Sequence, residues 1–154
     1  MTRGFYSVIQ YVPDRFRAEA VNLGLVLLCP DPHSLRFRLS TTFDRVERLF
    51  RTNDSELANL KLSVQSMHAR LASLTTTLRT VDELTVFAAS RGNDIRLTEP
   101  RLAKLESIDA DLLHHFTHHA GEGAERYQLA IGKYVTPLLD AIDARRECSS
   151  IFNK

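Results

Sequence analysis

Tryptophan is missing from this chain of 154 residues, and cysteine, glycine and proline are scarce, at two, six and five. The cysteines, Cys29 and Cys148, make no framework, which excludes a small scaffold stapled by disulfides and gives no indication of an oxidising compartment. So few glycines and prolines, with no period, also exclude a collagenous or low-complexity chain. Charge of one sign is lacking as well. Twenty Lys and Arg against 19 Asp and Glu leave +1, too little for bulk attraction to nucleic acid or acidic lipid. Long hydrophobic runs are absent, the longest being LGLVLLC, against the roughly 20 residues needed to span a bilayer, so no membrane association is expected. The opening residues MTRGFY run straight into a strand pattern without the apolar segment of a signal peptide, and a cytoplasmic protein is expected.

What is present describes an ordinary globular domain. Hydrophobic residues at 44% and charged residues at 25% suit one core, expected to span residues 1–154 as a single domain that needs neither metal nor disulfide for stability. FYSVIQYV, residues 5–12, is rich in aromatic and β-branched side chains. It reads as a strand buried on both faces, with Phe5, Ser7, Ile9 and Tyr11 on one side and Tyr6, Val8, Gln10 and Val12 on the other. Pro13 and Asp14 open a turn, and AVNLGLVLLC, residues 20–29, forms a second strand. LRFRL, residues 35–39, alternates strictly, so Leu35, Phe37 and Leu39 face the core while Arg36 and Arg38 face outward or into a site. Three successive strands predict an antiparallel meander.

The period then changes. STTFDRVERLF carries Thr41 or Thr42 as a cap and Phe43, Val46, Leu49 and Phe50 on one helical face. Asn53 and Glu56 have the spacing of a capping box, followed by Leu57, Leu60, Val64, Met67, Leu71, Leu74 and Leu78 at alternating steps of three and four. That ladder suits packing on a sheet. Its spacing equally suits a helix pair, within the domain or across a dimer formed through residues 55–78. VDELTVFAAS predicts another helix ending at Arg91–Gly92, DIRLT a fourth strand, and Ser107 the start of a helix through IDADLLHHFTHH. AERYQLAIGKYVTPLLDAIDARR predicts a last helix bent at Pro137. Strands first and helices afterwards make an α+β architecture: an antiparallel N-terminal sheet of three to four strands, about 5–40, against a helical layer, about 42–146.

Few residues suggest chemistry. Glu19, Asn22 and Gly24 stand at the start of an apolar strand, and two readings of them are open. In the structural one, Asn22 organises the preceding loop, Glu19 pairs with Arg15 or Arg17, and Gly24 makes room for a helix. In the functional one, Glu19, Asn22, Arg36 and Arg38 surround a polar pocket for an anion or a partner loop. Glu19 and Asn22 are three apart, so sharing a site requires a bulge or an irregular start to the strand, which Gly24 can supply.

HHFTHH places His114 and His118, and His115 and His119, one helical turn apart. The pattern lacks the glutamate of a zincin helix and a third ligand, so no metal site is expected. If Ile108, Leu112 and Phe116 mark the buried face, His115 and His119 flank the core while His114 and His118 meet solvent. Cys29, ending an apolar strand, reads as buried and inert. GEG near residue 122 has neither the length nor the lysine of a phosphate-binding loop, and no cofactor is expected. Arginines are denser in the first third, where a modest basic patch or a solvated surface interleaved with Asp44 and Glu47 are both open.

YSVIQYVP followed by the spaced Glu19, Asn22 and Gly24 of EAVNLGLVLLCP resembles the bacterial domain of unknown function 3037 family, with a weaker echo in IRLTEPR. The resemblance implies a small bacterial protein often encoded beside a HipA-like kinase, hence a toxin–antitoxin or defence association. It implies no established activity and transfers no catalytic residue. The resulting expectation is a non-enzymatic binding or regulatory protein acting through protein–protein interaction, with a HipA-like kinase or toxin as partner. The alternative is an enzyme or nucleic-acid processing factor using the Glu, Asn and Arg residues at the N-terminal sheet.

Overall fold

Val21–Cys29 buries every residue except Asn22 to the level of a core strand, and its place in the sheet explains why. A computed structural model of the chain describes residues 1–14, 16–90 and 94–121. Among these, the chain from Met1 to Ala120 forms a compact unit. Its strands are β1 (Thr2–Tyr11), β2 (Val21–Cys29), β3 (Ser34–Leu39), β4 (Ile95–Leu97) and β5 (Arg101–Leu105), and its helices α1 (Asp44–Phe50), α2 (Asp54–Leu74), α3 (Val81–Ala89) and α4 (Ile108–His119). The sheet runs β3-β2-β1-β4, with β5 also on β1, and every pairing is antiparallel. An α+β fold with an N-terminal antiparallel sheet is therefore what the chain adopts.

β1 and β2 are central strands covered on both sides, which is why they lack a polar alternation. One face carries Ile9, Tyr11, Val26, Leu28 and Leu35 against Val46 of α1, the stripe Leu60, Val64, Met67 and Leu71 of α2, and Leu84 of α3. The opposite face carries Leu27, Cys29, Ala103, Leu105 and Tyr6 against Ile108 and Leu112 of α4. Helices thus lie on both faces of the sheet rather than in one layer. The leucine ladder packs into the chain's own core, each fully buried aliphatic side chain contributing about 1.5–3 kcal/mol. Leu78 is buried beyond the end of α2, in the turn that leads to α3.

The capping box at Asn53 and Glu56 forms, each side chain meeting the other's backbone N–H at 2.9 Å. A second box, Thr80 with Glu83, starts α3. At α1 the expectation is corrected: the N-cap position falls on Phe43, not on Thr41 or Thr42, and Phe43 packs against the core and makes no side-chain cap bond. β5 is the strand the periodicity does not reveal. Its five residues follow Pro100 and pair with Thr2–Tyr6, while β4 pairs with Ile9–Tyr11 on the same edge of β1. Thr98 bridges the gap, donating its N–H to the Val8 carbonyl and accepting the Val8 N–H on Oγ1, both at 2.9 Å. The helix expected from AERYQLAIGKYVTPLLDAIDARR, the glycine cap at Arg91–Gly92 and Cys148 lie outside the described residues. No described helix is long and apolar enough to cross a membrane.

Candidate functional site

Ile9 faces Gly24, yet its neighbour Gln10 faces Asn22, so Leu23 is an extra residue in β2. This bulge supplies the irregularity that the Glu19, Asn22 and Gly24 spacing demands. Its consequence is a change of parity. Val21 and Leu23 join Val26 and Leu28 on the α2 side, and Asn22 turns to the α4 side. There Asn22 Nδ2 donates to the His119 carbonyl at 2.8 Å and Oδ1 accepts from Gln10 Nε2 at 2.9 Å. Gln10 Oε1 in turn accepts from Arg96 Nε at 3.3 Å. Gly24 makes room for strands, not for a helix: a Cβ there would stand 2.5 Å from the Arg38 carbonyl and 2.9 Å from Leu39 Cδ2.

Arg36 and Arg38 lie opposite Leu27 and Leu25 on the same α4 side of the sheet. Arg36 Nε meets Asp109 Oδ1 at 3.4 Å, both side chains well exposed, a pairing worth at most about 1 kcal/mol. The Arg38 guanidinium carbon stands 4.8 Å from the Phe116 ring centroid in a cation–π contact. Leu35, Phe37 and Leu39 turn the other way, into the α2-side core.

The histidines divide as the helical face requires. His114 and His118 are exposed; His115 and His119 are half-buried and stack on Tyr6, each with centroids 5.2 Å from it. Burial, reinforced by His114 and His118 and opposed by Asp111, holds the His115 pKa below its ordinary value. Among the described residues no group of three or more His, Cys, Asp or Glu side chains stands together to hold a metal. Cys29 is buried, its Sγ donating to the Asp31 carbonyl at 2.8 Å.

Asn22, Arg36 and Arg38 thus share one side of the sheet, and each has a partner within the unit. Glu19 belongs elsewhere. It is exposed, and it lines a cleft of about 340 Å³ with Tyr11, Thr52, Glu56 and Asp94. Arg17, also in the cleft, pairs with Asp14 at 3.7 Å rather than with Glu19. A wider groove of about 790 Å³ shares Asp14, Asn59 and Asp94 with this cleft and adds Phe16 and Leu62. Phe16 is fully exposed and Leu62 is 63% exposed. The Phe16 N–H donates to Asp14 Oδ1 at 2.9 Å, a turn that displays the ring on the loop between β1 and β2.

Sequence reasoning missed most of this cleft. Tyr11 reads as a core residue, and it is one, but its hydroxyl end lies close enough to Asp94 and Glu56 that they add to burial in raising its pKa. Asp94 reaches Tyr11 only because β4 pairs with β1, the Val12 N–H donating to the Asp94 carbonyl at 2.7 Å. Nothing in their spacing signals it. Glu56 was legible as a cap, and it carries that role beside the cleft.

Chemically, the α4 side is a set of satisfied polar contacts that anchor a helix. The cleft instead gathers hydrogen-bond acceptors of one charge. No curated protein and no solved structure matches the chain. A model of the family described as protein of unknown function DUF3037 matches residues 6–119, which spans the sheet from Tyr6 of β1 onward, the bulge and all four described helices. The chain belongs to the DUF3037 family.

Proposed function

We propose that this chain is a cytoplasmic, non-enzymatic binding or regulatory protein that acts by protein–protein interaction, through the groove between the β1–β2 loop and α2. The observation that carries the reading is the pair Phe16 and Leu62, large apolar side chains exposed on the rim of a carboxylate-lined cleft. An exposed aromatic beside a concave surface is the anchor type that protein interfaces use. A HipA-like kinase is the partner we propose, on the strength of the family resemblance.

An enzymatic or nucleic-acid processing role through Glu19, Asn22, Arg36 and Arg38 would need those four to converge. Glu19 opens on the cleft, whereas Asn22, Arg36 and Arg38 engage α4, so the geometry favours the binding reading.

The test is co-expression with a HipA-like kinase encoded beside the chain. Co-purification is expected, together with its loss in Phe16→Ser and Leu62→Asp variants whose melting temperatures match the parent. Retention of the kinase by both variants would overturn the groove as its contact.

A further inference from the structure

We infer that the cleft beside Tyr11 is a receptor for the guanidinium group of an arginine side chain presented by a protein partner. The inference rests on the interaction reading and names what this part of the surface recognises. Four carboxylates, Asp14, Glu19, Glu56 and Asp94, line the cleft against the single described guanidinium of Arg17, which is already paired with Asp14.

Charge alone would make only a solvated acidic patch. Two hydroxyls make it a built site. Thr52 Oγ1 is buried without a hydrogen-bond partner, and Thr52 lines the cleft. Tyr11 is 94% buried, its residual exposure being 6%, and its hydroxyl makes no hydrogen bond among the described residues. A buried polar atom is almost always satisfied, so Thr52 Oγ1 calls for a partner, and the Tyr11 hydroxyl at the same cleft offers a second hydrogen-bonding group to a ligand. Burial comes first and Asp94 and Glu56 add to it in raising the Tyr11 pKa, and the two carboxylates place negative potential at the hydroxyl.

Guanidinium fits better than ammonium for two reasons. It offers five donors in a plane, enough to meet carboxylates and hydroxyls together, where an ammonium is a compact point charge. It also stacks on aromatic faces, and the cleft is walled by the rings of Tyr11 and Phe50, which meet edge to face at 5.8 Å. The adjoining groove with Phe16 and Leu62 would take an apolar neighbour of that arginine.

The probe is a pair of short peptides, acetyl-Leu-Ala-Arg-Ala-amide and the same peptide with citrulline, a neutral isostere, titrated into the full chain and followed by NMR. Arginine should perturb Tyr11 and Thr52 resonances and bind at least about tenfold tighter than citrulline, one charge-assisted hydrogen bond's worth. Tyr11→Phe and Thr52→Val, which keep shape and remove only the hydroxyls, should each weaken arginine binding several-fold without lowering the melting temperature. Glu19→Gln should do the same.

Equal affinity for the two peptides, no saturable shift with arginine, or shifts confined to other surfaces would each overturn the inference. If arginine fails while Phe16→Ser still releases the kinase, the receptor falls and the interaction reading stands. If arginine binds as described while both rim variants retain the kinase, the interaction reading falls and the receptor stands.

Discussion

Asn22 Nδ2 donates to the His119 carbonyl at 2.8 Å, tying the bulge of β2 to the last turn of α4. A helix leaves its final carbonyls without intrahelical donors, and here a strand side chain from far away in the sequence supplies one. The same amide accepts from Gln10, so one residue joins β1, β2 and α4.

Removing that amide should cost stability. Asn22→Ala removes the hydrogen bonds that Asn22 makes to the Gln10 amide and to the His119 carbonyl, and we expect a loss of about 1–3 kcal/mol in urea unfolding. Glu19→Gln, a change at an exposed side chain, should stay within about 0.5 kcal/mol. Equal effects would refute the division between the two residues.

Gly24 should tolerate nothing larger. An alanine Cβ would meet the Arg38 carbonyl at 2.5 Å and Leu39 Cδ2 at 2.9 Å, and the first is backbone of a hydrogen-bonded neighbour that cannot yield without breaking register. Gly24→Ala should destabilise by about 1–3 kcal/mol, read as a lower midpoint with unchanged slope.

Ser7 is fully buried, and its hydroxyl has no hydrogen-bond partner. Ser7→Ala removes an unsatisfied polar atom at no steric cost, so the variant should be as stable as the parent or more stable by about 1 kcal/mol. A clear loss of stability on thermal unfolding would mean the hydroxyl has a partner.

Acidification should destabilise the α4 side of the sheet. The folded pKa of His115 lies below its ordinary 6.5, so as pH falls from that value the unfolded chain takes up the proton first. Stability is therefore intact above 6.5 and declines as pH falls through the folded value, because the unfolded state binds more protons there. The decline should be shallower in His115→Gln than in the parent when unfolding free energies are compared between about pH 7 and pH 5.

How much of this was legible beforehand follows from the range of each interaction. Alternation in FYSVIQYV and LRFRL, the capping box at Asn53 and the leucine ladder are local signals, because a strand repeats every two residues and a helix every 3.6, and the elements appear where those periods place them. The division of the histidines into solvent-facing and core-flanking pairs followed from the same helical period. β5 was hidden because RLAKL is short and one of its two inward residues is alanine.

The destinations of the polar residues were not local. Glu19 and Asn22 sit three apart, but the extra residue Leu23 and the covering by α4 send Asn22 to a helix end, while Glu19 stays on the rim of a cleft. The sequence by itself determined the periods, the caps, the choice of α+β and the need for an irregularity before Gly24. Only the tertiary structure decided that α4 lies across the sheet from α2 and that Asp94 stands beside Tyr11. Those depend on which strands pair and which face each helix covers, and hydrophobic periodicity specifies that a face is buried without specifying against what.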